Sequence, residues 1–356
     1  MQDFIPSELP INIKLNDNTY KILSKASRKL GELNGFAKTI PNQDILINSL
    51  VLQEAKDSSA IENIITTHDE LFLAQIDESA ITKNTKEVQN YEQALKRGFF
   101  LIKRDRLLLN RHILEIQKTL ERNNAGFRVQ SGTMLKNHHT GEIKHIPPQH
   151  RDDIVRLMNN LEKYINEELD DLDPLIRLAI IHYQFETIHP FYDGNGRSGR
   201  ILNVLYLVHK ELLDLPILYL SAYIIKHKQD YYNLLSEVSK NKAWDKWINY
   251  ILEGIEKTAE ATIKRIEDIK EAMNNYSETL KDNTKIYSKD LIDTLFAYAY
   301  TKIESLEKTL QITRQTSSKY LKICEELKLL ECVNVQKKKY YINVKLFEIL
   351  SKELLC

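Results

Sequence analysis

HPFYDGNGRSGR, His189 to Arg200, places glycines at 194, 196 and 199, the Gly-x-Gly-x-x-Gly spacing of a dinucleotide-binding loop. Such a loop needs a β-strand running into the first glycine and an acidic residue roughly 20 positions later. Neither is present. The preceding stretch PLIRLAIIHYQFETI, Pro174 to Ile188, has Asp173 placed as an N-cap and Pro174 at the first helical position, where its missing N–H costs nothing. It is apolar nearly all round, which predicts a central buried helix. ILNVLYLVHKELL, Ile201 to Leu213, is again helical in pattern, so the glycines join two helices. A phosphate-binding purpose survives this reading; a doubly wound α/β fold does not.

Working outward, 356 residues suffice for two or three domains around a large core. Fifty Lys plus Arg balance fifty Asp plus Glu, so no global charge points to nucleic acid or to an anionic membrane. Cys324, Cys332 and Cys356 have no metal-ligand spacing, and an odd number argues against a disulfide framework. The N-terminus lacks the basic and apolar regions of a signal peptide, and no apolar run approaches the ~18 residues of a membrane span. The expectation is a cytoplasmic protein with no membrane partner. Glycine supplies only 10 residues, as a mostly helical chain requires.

From about Asp17 to Phe99 the pattern is helical with few breakers, and helices continue through His112 to Asn123. Gly126 to His150 then alternates apolar and polar residues around HHTGE and ends at Pro147-Pro148, which reads as a β-hairpin. Its histidines (His138, His139, His145, His150) suggest metal binding or, more simply, a solvated loop. Helices resume to Leu213 and again from Lys228 to about Met273, with Trp244 and Trp247 read as core. NNYSETLKDNTK, Asn274 to Lys285, is polar and reads as a linker. The remainder alternates three short helices with two strands around QKKKYYINV, the order of a winged helix-turn-helix.

The loop's chemistry follows from a helix beginning near Asn195. Its first turn offers the N–H groups of Gly194, Asn195 and Gly196 at the positive end of the helix dipole, and Arg197 and Arg200 beside them. Two guanidiniums three residues apart can hold separate phosphates of a triphosphate. Asp193 can hold Mg²⁺ through one carboxylate, with water and phosphate oxygens completing the shell. His189, titrating near neutral pH, can take the proton of an attacking hydroxyl. Taken singly, each residue also fits a plain helix–helix turn. Twelve consecutive residues supplying base, metal ligand, nest and two guanidiniums favour attack of a hydroxyl on a nucleotide phosphate.

These residues, His189, Phe191, Asp193, Gly194, Asn195, Gly196, Arg197 and Arg200, match without departure the Fic signature H-x-F-x-[DE]-G-N-G-R-x-x-R, so the chain resembles the Fic family. The resemblance implies protein adenylylation, in which ATP donates AMP to a Ser, Thr or Tyr hydroxyl of a target or of the protein itself. It implies His189 as general base, Asp193 as Mg²⁺ ligand and Phe191 as the buried anchor of the loop. Asn195 and the loop N–H groups would hold the α- and β-phosphates, Arg197 the β-phosphate and Arg200 the γ-phosphate. Ser198 and Gly199 complete the ATP-binding loop, and Tyr231 and Tyr232 lie where the family places an adenine contact; packing is the other reading of that pair.

Ser58-Ser59-Ala60-Ile61-Glu62-Asn63 fits the family's inhibitory pattern [ST]-x-x-x-E-[GN], with Ser58, Glu62 and Asn63 at its marked positions. Glu62 paired with Arg200 would take the guanidinium that the γ-phosphate needs and leave the α-phosphorus out of line. The hairpin falls where the family's flap lies, so a target strand would add to the edge of residues 126–150.

The expected fold is mainly α: an N-terminal helical region at 1–100, a Fic-type helical core with its β-hairpin flap at 101–275, and a winged helix at 286–356. That last part could bind DNA through Arg314, Lys319 and Lys337 to Lys339, or pack as a homodimer or partner module. Glu304, Glu307, Glu325 and Glu326 dilute its basic face. Alternatives to AMP transfer are removal of AMP with Glu62 as base, transfer of another phosphate-containing group, or nucleotide sensing by a winged-helix regulator.

Overall fold

The computed structural model describes residues 4–40, 42–77, 81–136, 141, 143–335 and 338–355. The chain begins with α1 (Asp17–Ala37), started by Asn16, whose side chain accepts the Thr19 N–H. It continues with α2 (Asp44–Ile61), α3 (His68–Ala74), α4 (Lys83–Asp105) and α5 (Asn110–Glu121). Thr67 and Glu70 close a capping box on α3. Strands β1 (Leu135–Lys136) and β2 (Ile143–His145) pair antiparallel, Leu135 opposite His145. Helices α6 (Arg151–Asn166), α7 (Pro174–Ile188), α8 (Asn195–His209), α9 (Ser221–Lys226), α10 (Lys228–Asn241) and α11 (Trp244–Asn283) follow. The C-terminal part comprises α12 (Lys289–Phe296), β3 (Tyr300–Thr301), α13 (Ile303–Leu310), α14 (Arg314–Glu326), β4 (Leu330–Val335), β5 (Lys338–Asn343) and α15 (Val344–Ser351). Its sheet has the order β3-β5-β4.

The centre is α7, buried around nearly its whole circumference, as a sequence apolar nearly all round predicts. Trp247 of α11 packs on it and donates its Nε1–H to Ala179 O at 2.8 Å; Trp244 is only half-buried, edge-on to Tyr183. Helix α1 lies along α11, and α4 packs on α2, α5 and α8. Helix α2 is tied down by Glu54. Its carboxyl accepts from Tyr91 Oη at 3.0 Å and Ser221 Oγ at 2.5 Å, joining α2 to α4 and α9, and burial pushes it up to about 8.

Three sequence expectations change. The expected linker is helix: α11 runs unbroken through residues 274–283, because Met273, Tyr276 and Leu280 bury one face against the C-terminal part and outweigh a polar local composition. The hairpin is shorter than expected, with residues 126–134 irregular and only five residues in strands. His138 and His139 lie outside the described residues. His145 is not a solvated loop residue: its Nε2 meets Thr187 O at 2.9 Å and its ring lies edge-on to Phe4.

The winged-helix order stands, with β3 and α15 in addition. Part of its basic surface is paired with carboxylates. Lys338 Nζ reaches Asp77 Oδ2 at 2.7 Å, Tyr340 Oη bonds the same carboxylate, and Tyr300 Oη donates to Asp69 Oδ1 at 2.8 Å. Arg314 pairs with Glu304 at 2.6 Å and Glu307 at 3.6 Å, while Lys319 stays exposed. Lys337 lies outside the described residues. No helix among those described is long and apolar enough to cross a membrane.

Candidate active site

Helix α7 stops at His189, whose left-handed backbone (φ 49°) lets its N–H bond Phe185 O at 3.0 Å while the chain turns away. Phe191 is fully buried against Phe127 and Phe185. Asn195 closes the loop on it: its Oδ1 accepts Phe191 N–H at 2.8 Å and its Nδ2 donates to Phe191 O at 2.9 Å. The Asn195 amide therefore shapes the loop, leaving its main chain to face a ligand. Gly194, at φ 77°, takes the N-cap position of α8, and the helix begins at Asn195 as the sequence predicts.

The two arginines of the first turn are both buried, and they diverge. Arg200 is held by α2: its Nε donates to Ser58 Oγ at 2.8 Å, and its Nη2 donates to Ser58 O at 3.0 Å and Glu62 Oε1 at 2.8 Å. Burial works against the Arg200 charge, but Glu62, Tyr231, Glu186 and Tyr232 together outweigh it and raise the guanidinium above its usual range. For Glu62, burial pushes the carboxyl up, yet Arg200, helped by Arg197 and Lys228, holds it below the usual carboxylate value. Glu62 is thus ionised, with 37% of its side chain still exposed. Asn63 follows in the left-handed conformation (φ 64°), the physical reason for Gly or Asn at that place, and Lys228 Nζ caps the end of α2 at Ile61 O.

Arg197 turns the other way, to Glu121 Oε1 of α5 at 2.8 Å and Glu87 Oε2 of α4 at 3.2 Å. Ser198 is buried with its Oγ unpartnered, and Gly199 leaves room for Glu186, whose Oε1 lies 2.4 Å from where a Cβ would stand.

His189 departs from the near-neutral titration expected of it. Burial, with the neighbouring His145 and Arg128, lowers it to about 4, so the ring is neutral at physiological pH. Arg128 escaped the sequence reading. It is fully buried, donates Nε–H to His189 O at 2.8 Å and also bonds Pro148 O, tying the loop to the hairpin's end. Tyr192, an unspecified position of the signature, was also missed: its Oη accepts Val129 N–H at 2.9 Å and Gln130 N–H at 3.2 Å. An arginine within an apolar alternation was the one signal available for Arg128; Tyr192 had none.

The tyrosine pair divides. Tyr231 is 1% exposed, meets His182 Nε2 through its hydroxyl at 2.8 Å and packs on Trp247, so it does not present a ring face to a ligand, contrary to expectation. Tyr232 is 44% exposed and feels the charges of Glu62 and Arg200.

A site of this shape suits Mg²⁺ only in partnership with phosphate. Asp193 is exposed at the loop mouth, with Oδ1 taking the Gly194 N–H at 2.7 Å, and among the described residues no group of three His, Cys, Asp or Glu could hold a metal. One carboxylate beside a phosphate subsite is the donor set Mg²⁺ accepts.

Three family profiles match in succession: Fic/DOC family N-terminal over residues 20–100, Fic/DOC family over 107–207, and Protein adenylyltransferase SoFic-like, C-terminal domain, over 272–346. The chain belongs to the Fic/DOC family. Its mainly helical structure is the Fic fold. A Fic family protein from Desulfovibrio desulfuricans G20 superposes with a TM-score of 0.59 at 19% identity, covering 94% of this chain and 98% of that one. A Fic domain containing signaling protein from Bacteroides thetaiotaomicron VPI-5482 gives 0.54 at 18% identity, over 69% and 97%. Among named sequences, Protein adenylyltransferase Fic of Drosophila erecta is 44% identical over 59 residues, and that of Drosophila grimshawi 42%. The match spans 16% of this chain and 12% of the length of those relatives.

Proposed function

We propose that this chain is a protein adenylyltransferase that moves AMP from ATP to a protein hydroxyl, and that its own Glu62 holds it back. The observation that carries the reading is the junction of α7 and α8, where a neutral His189 ends one helix and the next opens on Gly194 with Arg197 and Arg200 in its first turn. Backbone N–H groups and the helix dipole there receive phosphate charge. The target oxygen bonds the α-phosphorus, the bond from that phosphorus to the β-bridging oxygen breaks, and pyrophosphate leaves. The hydroxyl proton passes to the His189 imidazole. A ring lowered to about 4 is available but weakly basic; arriving phosphate charge favours imidazolium and strengthens it. Asp193 would hold Mg²⁺ together with the phosphates, and the ion would supply charge neutralisation there.

The inhibition reading is supported by the engagement of Arg200: with its guanidinium on Ser58 and Glu62, the outer end of a triphosphate lacks its partner. The contact lies within one chain. In the same reading, Tyr232 is the adenine contact, and the target strand adds along the hairpin that Tyr192 and Arg128 brace. A second reading, removal of AMP with Glu62 as base on water, draws on the ionised Glu62 carboxylate beside Gly196.

The test is incubation of wild type, Glu62→Gly and Glu62→Gly/His189→Ala with Mg²⁺ and ATP labelled at the α- or γ-phosphate, following label on protein. Label from the α-position only, raised by the first change and abolished by the second, is the expected result. Label from the γ-position, or from neither, overturns it. Faster loss of AMP from modified protein with Glu62 than with Gly would favour the second reading.

A further inference from the structure

The glycine loop meets two carboxylates of its own chain. A Cβ on Gly196 would stand 2.4 Å from Glu62 Oε1, and a Cβ on Gly194 would stand 2.3 Å from Glu121 Oε1. Each carboxylate also holds one of the signature arginines at 2.8 Å, Glu62 on Arg200 and Glu121 on Arg197. The two arrive from different helices: Glu62 follows the last residue of α2, and Glu121 is the last residue of α5.

We infer that Glu121 is a second internal lock: it occupies the Arg197 guanidinium and the Gly194 side of the loop, so a nucleotide triphosphate must displace it as well as Glu62. This rests on the reading of the loop as a phosphate site. Three features of the geometry support it.

Arg197 is nearly inaccessible, and its Nη1 and Nη2 are both spent on carboxylates, while its buried Nε has no partner. An incoming phosphate therefore meets a buried guanidinium whose charge is already compensated by two carboxylates. Next, Glu121 sits at the C-terminal end of α5, where the helix dipole disfavours negative charge. Burial pushes its carboxyl up, Arg197 draws it down, and Asp193 and Glu87 push it up again. Its tie to the loop thus depends on Arg197 and opposes every other charge nearby. Finally, Glu87 approaches the other Nη of Arg197 from α4, so the guanidinium keeps an anchor after Glu121 leaves. Glu87 retains the arginine, and Glu121 is the partner that gives way.

The experiment uses the full chain as wild type, Glu62→Gly, Glu121→Gln and the double variant, titrated with Mg²⁺-ATP and with adenosine by calorimetry. Glu121→Gln keeps size and removes charge. It is expected to tighten ATP at least about five-fold in the Glu62→Gly background while leaving adenosine unchanged. Unchanged or weaker ATP binding by a folded Glu121→Gln protein overturns the second lock and makes Glu121 a positioning partner of Arg197. Should that variant not fold, Glu121→Met, which keeps the packing without charge, answers the same question. Failure of the underlying reading looks different: Glu62→Gly itself would then bind no ATP and label no protein.

Discussion

Glu62 Oε1 and Arg200 Nη2 lie 2.8 Å apart across 138 residues of sequence, and the same guanidinium is gripped by both the side chain and the carbonyl of Ser58, one helical turn earlier. Under the proposed inhibition, Glu62→Gly raises AMP transfer by about 5- to 150-fold, the range of an ordinary coupling free energy. Transfer unchanged by the substitution, in a folded protein, would remove Glu62 from any inhibitory role.

Ser58→Ala tests the other half of that grip. It leaves Arg200 Nε buried without its 2.8 Å acceptor, and a hydrogen bond to a charged group contributes about 1.5–3 kcal/mol. Denaturant unfolding is expected to show a loss of that size. A difference below about 0.5 kcal/mol, within the scatter of surface changes, would show that water or Glu62 takes over.

Gly194→Ala and Gly126→Ala separate backbone strain from crowding. Both glycines are left-handed, at φ 77° and 69°, but only Gly194 has a neighbour where a Cβ would stand. Left-handed backbone costs an L-residue about 1–2 kcal/mol, so Gly126→Ala should lose that much. Gly194→Ala should lose more, through displaced Glu121, and equal losses would place Glu121 away from the loop.

Tyr231→Ala should destabilise the fold by about 3–5 kcal/mol, as deletion of a fully buried aromatic does, whereas Tyr232→Ala should stay within about 1 kcal/mol. In the proposed enzyme Tyr232→Ala raises KM for ATP with kcat little changed. A KM unaffected by Tyr232→Ala would clear that residue of any nucleotide contact.

The acid limb of the pH profile follows from His189. A base must be neutral to act, and its folded value is lowered from 6.5 to about 4, so the active form persists as pH falls and is lost only near 4. For kcat/KM, which reports the free enzyme, the expected profile is flat from pH 8 to about 5.5. An inflection at 6.5 would mean that the ring is solvated in solution.

The order of helices, the buried α7 and the helix start at Asn195 were legible because each rests on local pattern or on a long motif, and the approach of Glu62 to Arg200 was implied by the family resemblance; the grip of Ser58 on Arg200 was not foreseen. Nor were Arg128, Tyr192 and Glu121. Their partners are main-chain groups or residues more than 60 positions away, and nothing local distinguishes Glu121 from a solvated end-of-helix carboxylate. Residues 274–283 were misread for a related reason: their helix is held by the buried side chains of Tyr276 and Leu280, a tertiary cause that composition does not display. Tyr231 and Tyr232 are adjacent and chemically alike, so only three-dimensional packing tells them apart.

Helix α11 has 40 residues, about 60 Å at 1.5 Å per residue, and both ends are committed. Trp247 is anchored on Ala179, and Tyr276 Oη donates to Leu329 O at 2.6 Å. An exchange of the C-terminal unit by recombination has no loop to use across residues 244–283. Any crossover there would join half a helix to a stranger and leave Met273, Tyr276 and Leu280 facing a surface that was not shaped for them, so the helix itself is exchanged whole.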